Sequence, residues 1–497
     1  MGAIAADLET ACGDPRAAQQ ATFVRILEQA RASTFGREHG LAAVRTLEDF
    51  RAAVPLRSSA DFQPYVHRAM AGEPDVLFRG VPIFIGKTSG TTGESKYIAY
   101  PAASRYAVWN QLAPWLDQFS DAELADGCFV AGRYAEEVSP GGVTVGSATG
   151  FLRHVMHDVP WFSAIPTELS EQADYEARYL GILRELLARP LRVLVTPNPS
   201  TLLALVQQFC KHRGALSDGR GAVATRLRAL PDAITLGDLW PSLTKLATWQ
   251  DGSTALYRER LQAAAPNAML IRAPSGATEG MVMTRGWGTD DGCVPSLLCS
   301  VFEYLDGNET LGVSDLEVGQ TVRLVLTSER GTYRCLTDDL YQVVGRHRRA
   351  PRLRYVGRSS LTSSLTGEKL TEPQVISALA SISADLGGAE VQVAPVWGDP
   401  PYYALIVELT RELDPAARAI LVARFEAELR LQNSEYACKR DSLRLAPPVL
   451  VVLERGEVAR RRLERSNATG RSDVQLKAPT LTTELFVPAN YRVAGAQ

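Results

Sequence analysis

The sequence predicts an α/β protein in two parts: a large body of layered β-sheets and helices, followed by a small α+β domain. Three observations carry this. Strand-like apolar runs alternate with helical stretches from about residue 81 to 358, the pattern of sheets covered by helices. The apolar run Val81-Pro82-Ile83-Phe84-Ile85 leads directly into a loop rich in glycine, serine and threonine, a common way to present backbone N–H groups to phosphate. After residue 358 the alternation restarts around one well-marked helix.

The elements follow in order. Phe23, Ile26, Leu27 and Ala30 recur at helical spacing, and Pro55 and Pro64 break that pattern, so the chain opens with helices. Residues 81–85 are short and apolar enough for a buried strand. Further strands are predicted at 191–195, 301–305 and 322–326, with a helix over 175–187. In the last part strands are expected near 391–396, 402–409 and 449–453. The helix among them starts at Asp414 as N-cap with Pro415 in the first turn, and buries Leu421, Phe425 and Leu429. No repeat or low-complexity segment interrupts the chain, which divides into 1–358 and 359–497 with a hinge expected near Gly357-Arg358.

Composition narrows the class of function. With 45% hydrophobic and 22% charged residues the chain is globular rather than disordered. A net charge of −3, with both signs mixed along the chain, offers no basic face to nucleic acid or to an anionic membrane. A small-molecule substrate and a monomeric protein are expected. Seven cysteines without a CxxC pair form neither a disulfide framework nor a zinc cage, which suits a reducing cytoplasm. No basic segment with an apolar core opens the chain, Ala6 lacks the hydroxyl of a myristoylation signal, and no run of about 18 apolar residues occurs. The six histidines show no HExxH or other metal spacing; His154 and His157 share at most a helix face.

The strongest local signal is Lys87-Thr88-Ser89-Gly90-Thr91-Thr92-Gly93-Glu94-Ser95-Lys96. Glycines let the backbone approach a triphosphate, hydroxyls and N–H groups donate to its oxygens, and an ammonium offsets its charge. Only seven of the 53 basic residues are lysines, so Lys96, Lys369 and Lys477 stand out. The spacing is not that of a Walker A loop, because Tyr97 follows Lys96. Taken alone, such a stretch is also an ordinary turn.

This loop resembles the phosphate loop of the adenylate-forming superfamily of acyl-CoA synthetases and luciferases. In particular it is similar to that of the Gretchen Hagen 3 acyl-acid amido synthetases, here expected to be a bacterial member. Phe50-Arg51-Ala52-Ala53-Val54-Pro55 and Phe62-Gln63-Pro64-Tyr65-Val66 resemble that family's lead-in. Further similar segments follow in the family's order, from about residue 15 to 490, loosely between 105 and 270.

The resemblance implies the roles. Ser89, Gly90, Thr91, Thr92, Gly93 and Lys96 would hold the phosphates of ATP. Ser275-Gly276-Ala277-Thr278-Glu279 is similar to a Tyr-Gly-x-Thr-Glu segment whose Glu holds Mg2+ and whose Thr sits by phosphate and acid. A carboxylate beside a triphosphate needs a cation between them, so Glu279 as a Mg2+ ligand is chemically sensible. Ser275 stands where the family has an aromatic residue against adenine, which puts that stacking in doubt. Tyr333 to Asp339 resembles a Tyr-Arg-x-x-x-Gly-Asp segment, making Asp339 the acceptor for the ribose hydroxyls, with Asp338 replacing the glycine. Ala350 to Arg358, including Tyr355, resembles the approach to the interdomain hinge. Thr366-Gly367-Glu368-Lys369 resembles the start of a mobile C-terminal domain, and Gln475-Leu476-Lys477-Ala478-Pro479 the segment that supplies a catalytic lysine.

The implied fold is the adenylate-forming type, and the implied reaction joins an acid to an amine through an acyl-AMP, with ATP and Mg2+. An acid pocket is expected along the helix after Thr196-Pro197-Asn198-Pro199, at Leu202, Leu203 and Leu205, backed by residues 252–257. Two alternatives stay open: transfer to coenzyme A or a carrier thiol, and a non-catalytic nucleotide-binding protein, suggested by Ser275 and Asp338. The identity of the acid and amine is open as well.

Overall fold

In a computed structural model of the chain, the residues described are 2–88, 96–130, 136–170, 172, 175–218, 221–251, 258–287, 292–358, 362–382, 385–386, 389, 391–409, 412–458, 460–461, 481–488 and 491–494. The chain divides into two compact units, one of residues 1–88 with 95–359, the other including 360–497.

The first unit is α/β with several sheets. Short strands Gly127–Phe129, Val193–Val195, Lys245–Thr248 and Met269–Arg272 lie parallel and side by side in chain order. Parallel neighbours need crossovers, and helices such as Tyr175–Leu187 and Pro199–Ser217 lie in those connections. A second, mixed sheet is built on the hairpin Phe84–Thr88 and Lys96–Tyr100, extended by Thr144–Gly146 and Glu137–Val138. The third is an antiparallel five-stranded sheet ending in the long strands Cys335–His347 and Ala350–Arg358.

The hairpin is buried on both faces. Side chains alternate across a strand: Phe84, Ile98 and Tyr100 enter the core of the parallel sheet, with Trp115, Val195 and Ile271. Ile85 and Ala99 enter the core of the N-terminal helices, with Phe23, Phe35 and Phe50. The strand expected at 81–85 therefore exists but begins at Phe84 and runs to Thr88. Pro82 has no N–H to give to a ladder, and Val81 is left exposed.

In the second unit Val391–Val396 pairs antiparallel with Tyr402–Val407, which pairs parallel with Val449–Val452. The crossover is the helix Pro415–Gln432 followed by Ser434–Asp441. Asp414 Oδ1 accepts the Ala417 N–H at 2.7 Å, and Leu421, Phe425 and Leu429 face the core, as the spacing predicts. Glu368 is buried and folds its own loop. Its carboxylate accepts from the N–H groups of Leu365 (2.6 Å) and Thr366 (2.7 Å) and from Tyr403 Oη (2.5 Å). Among the described residues, no helix is long and apolar enough to cross a membrane.

Candidate functional site

The two strands that carry the glycine and hydroxyl loop pair from Phe84↔Tyr100 out to Thr88↔Lys96. Ser89, Gly90, Thr91, Thr92 and Gly93 lie outside the described residues, and Lys87 and Lys96 flank them. Lys87 Nζ pairs with Glu137 Oε1 at 2.9 Å, and that hydrogen bond holds its pKa above the usual lysine value. Lys96 Nζ is held by a neutral partner, the Ser59 hydroxyl, at 3.1 Å.

Thr278 and Glu279 form the tip of a second small hairpin, Ser275–Ala277 against Gly280–Met283. Its base is fixed by the helix Ser104–Leu116, where Gln111 Nε2 donates to the carbonyls of Ser275 (2.8 Å) and Met283 (2.9 Å). Its tip is held by Ser328, Arg330 and Thr332, whose side chains take up the carbonyls of Ala277, Thr278 and Glu279.

The two hairpins touch. A Cβ on Gly86 would stand 2.8 Å from Thr278 Cγ2 and 2.7 Å from Tyr100 Oη, so only glycine lets Thr278 lie this close to the first hairpin. The electrostatics give the same proximity. Burial raises the Cys335 thiol well above its ordinary pKa; the Glu279 carboxylate raises it further and the Lys96 ammonium lowers it. Lys96 and Glu279, 183 positions apart by their numbers, thus act on one buried point.

Asp339 sits in the strand Cys335–His347, as the backbone partner of Arg358. Asp338, on the other face of that strand, forms an ion pair with Arg323 at 2.9 Å. The Asp-Asp pair therefore lies within a strand, and the acid in place of glycine is tied to the neighbouring strand. Tyr355 meets Tyr341 edge-on at 5.6 Å. Burial pushes the Tyr341 phenol well above its ordinary pKa, with Asp339, Tyr355, Tyr304 and Asp251 adding to the rise. Asp251 pairs with Arg272 just beyond the carboxyl ends of the parallel strands. Open α/β sheets bind ligands at those ends, and this is where the Ser275 segment begins. Lys477 and the Arg358 side chain lie outside the described residues.

Four contributors carry no sequence signal of their own: Gln111, the Asp251–Arg272 pair, the Glu329–Arg330 pair, and Trp249. The indole of Trp249 is 40% exposed, and its Nε1 donates to Pro274 O at 3.0 Å, directly before Ser275. On the expected acid-binding helix Leu202 and Leu205 are wholly buried, leaving half-buried Leu203 with surface to offer; residues 252–257 are outside the described residues. His154 and His157 are surface residues beside Glu136 and Asp158.

No group of three or more His, Cys, Asp or Glu suited to a metal occurs among the described residues. A single carboxylate such as Glu279 still fits Mg2+, which is commonly bound by one or two carboxylates together with substrate phosphates and water.

Models of one family match the chain in order: "GH3 family N-terminal domain" at residues 4–219, "GH3 family central domain" at 298–358 and "GH3 family C-terminal domain" at 375–485. A protein of Oryza sativa subsp. japonica named jasmonoyl–L-amino acid synthetase GH3.5 is 24% identical, over 98% of this chain and 95% of its own length. An Arabidopsis thaliana protein named indole-3-acetic acid-amido synthetase GH3.10 is also 24% identical, over 94% of this chain and 92% of its own. The solved structure of "AtGH3.15 acyl acid amido synthetase in complex with 2,4-DB" superposes with a TM-score of 0.64 at 18% identity, covering 97% of this chain and 94% of that one. At that identity the likeness is one of fold.

Proposed function

This chain belongs to the GH3 family, and from that premise we propose that it is an ATP-dependent amido synthetase that activates a small carboxylic acid as its acyl-AMP and passes the acyl group to an amine, in the first instance an amino acid. The observation that carries this reading is the meeting of the Phe84–Tyr100 hairpin with the Thr278–Glu279 turn, through Gly86.

The chemistry explains the need for such a site. A carboxylate resists amines because its charge repels nucleophiles and oxide is a poor leaving group; the mixed anhydride with AMP removes both obstacles. In the first half-reaction an oxygen of the acid attacks the α-phosphorus in line and pyrophosphate leaves. In the second the amine nitrogen attacks the acyl carbon, AMP leaves with the bonding pair, and the nitrogen loses a proton that the departing AMP phosphate takes up. Lys96 and the residues from Ser89 to Gly93 hold the β- and γ-phosphates, Thr278 lines the reacting end, and Asp339 accepts from the ribose hydroxyls. Gly276, Ala277, Tyr355 and Arg358 complete the nucleotide's surroundings. Mg2+ held by Glu279 would offset the charge of the triphosphate. Lys477, on a C-terminal domain that moves about Arg358, offsets charge at the α-phosphate in the first step and withdraws for the second, admitting the amine while excluding water.

Ser275 offers the base no flat surface, and the exposed indole of Trp249 beside it does. Stacking of a base on an aromatic ring is worth roughly 1–3 kcal/mol. Trp249→Ala is accordingly expected to raise the KM for ATP about ten- to a hundredfold, with that for the acid unchanged, in steady-state pyrophosphate release. An unchanged KM for ATP would remove Trp249 from the site.

The reading is tested by following pyrophosphate and AMP release across a panel of carboxylic acids, with amino acids, other amines or coenzyme A. Amine-dependent AMP formation with one acid, and a product mass equal to the amide, is the expected result. Turnover sustained by the thiol alone makes the acceptor wrong. ATP binding without turnover on any acid makes the protein a nucleotide binder.

A further inference from the structure

Glu329 and Arg330 lie outside every motif named above, yet Arg330 touches both hairpins of the site. Arg330 is 1% exposed and Glu329 2%. Arg330 Nη1 donates to the carbonyls of Thr278 (2.8 Å) and Ala277 (3.2 Å). Its guanidinium lies over the ring of Tyr100, with Cζ 4.1 Å from the centroid, and Tyr100 ends the strand that leaves the phosphate loop. Glu329 Oε1 stands 3.4 Å from Arg330 Nε and accepts from Ser104 Oγ at 3.0 Å.

The flanking residues complete the clamp. The hydroxyls of Ser328 and Thr332, 2.8 Å apart, reach the carbonyl of Glu279 at 2.6 and 3.0 Å, dividing two protons among these contacts. The Arg330 N–H donates to Ser328 Oγ at 3.1 Å. Gly331 turns the chain at φ +77, and a Cβ there would meet Leu77 Cβ at 2.6 Å.

Stability alone is a poor account of this arrangement. A buried ion pair is often no more stabilising than an apolar pair of the same volume, because desolvation cancels its attraction. Here Tyr100 Oη, Glu329 Oε2 and Arg330 Nε also find no hydrogen-bond partner among the described residues, which makes the pair more costly still. What the planar fork of an arginine provides, and an apolar group does not, is a fixed position for two consecutive carbonyls while its face rests on an aromatic ring.

We propose that Arg330, neutralised by Glu329, is a positioning residue that sets the Thr278–Glu279 turn against the phosphate-loop hairpin, and with it the place of the metal-bound triphosphate. This rests on the adenylation reading. Arg330 touches no reacting atom; it acts through Thr278 and Glu279, whose backbone it holds.

The test uses the full chain and Mn2+ with ATP, followed by the loss of the free Mn2+ signal in electron paramagnetic resonance. The double variant Glu329→Met with Arg330→Met leaves no buried charge and is expected to fold, as read by circular dichroism. Its Mn2+–ATP affinity should fall on the order of tenfold to a hundredfold, the scale of a small misplacement in a site, with the KM for ATP rising more than the KM for the acid. Arg330→Lys keeps the charge but not the fork, and is expected to lose affinity in the same direction. A folded double variant with wild-type Mn2+–ATP affinity overturns the inference; if it does not fold, wild-type affinity in Arg330→Lys does so. An unsubstituted protein that binds no Mn2+–ATP and releases no pyrophosphate overturns the adenylation reading itself, before any variant is made.

Discussion

Replacing Lys477 with alanine is expected to abolish acyl-AMP formation while sparing the amide-forming step. In the first half-reaction negative charge gathers on the α-phosphate as the acid oxygen approaches, and an ammonium placed there lowers the barrier more than it lowers the ground state. Removing one such preorganised group typically costs about 10²–10³ in rate. On the proposed mechanism AMP is already bonded to the acyl group in the second half-reaction, and Lys477 is expected to have withdrawn before the amine attacks. Two measurements separate the steps: acid-dependent pyrophosphate release, and amide formation from chemically prepared acyl-AMP. Lys477→Ala should lose the first and retain the second. Lys477→Arg should not restore the first, because a planar guanidinium does not substitute for a compact ammonium. Equal losses in both assays would place Lys477 in the general architecture of the protein instead.

Replacing Glu303 with leucine is expected to destabilise the first unit severely. Glu303 is 2% exposed and stands between two arginines, with Oε1 2.9 Å from Arg51 Nε and Oε2 3.0 Å from Arg334 Nε. Arg334 is itself buried, and its Nη1 donates to the carbonyls of Val54 (2.9 Å) and Arg51 (3.2 Å). Without the carboxylate the Arg334 charge remains buried and unpaired, a loss of roughly 3–5 kcal/mol. Arg334 immediately precedes the strand that carries Asp339, and its backbone is already in the left-handed region at φ +54. Loss of its anchor should therefore also loosen the strand that carries Asp339, the proposed acceptor for the ribose hydroxyls. Arg51→Ala, at a partner that is 31% exposed on its side chain, should cost less, since the buried Glu303 carboxylate keeps Arg334 as its partner. Urea unfolding of the three proteins tests the order. A Glu303→Leu midpoint equal to that of the unsubstituted protein would mean that the network contributes nothing net.

This network also explains two segments that the sequence presents as unrelated. Phe50 to Pro55 and Tyr333-Arg334 are similar to family segments 280 positions apart, and the structure joins them: Arg51 and Arg334 share Glu303, and Tyr333 Oη donates to Leu77 O at 2.5 Å. No spacing rule links these residues, because the link runs through a third side chain on another strand. The same holds for Gly86. Its place in a short strand invites no comment until Thr278 is seen against it.

Local features were legible along the chain. The helix Pro415–Gln432 could be read residue by residue, since a cap and a 3.6-residue stripe are interactions within one element. Val391–Val396 and Tyr175–Leu187 likewise lie where the apolar pattern places them. The α/β class follows from such elements in alternation, and the family from the order of its motifs. The burial of Glu329 and Arg330 could not be read in this way, nor the ion pair of Asp338 with Arg323, nor the indole of Trp249 beside Ser275. In the charged cases the sequence shows residues suited to the surface, and at Trp249 it shows only an apolar one. The actual environment is made by partners tens to hundreds of positions away, and a charged or aromatic side chain takes its role from what surrounds it. Chemistry carried by neighbours in sequence is written in the chain; chemistry that depends on desolvation and on convergence from separate elements comes into being only when the sheets pack.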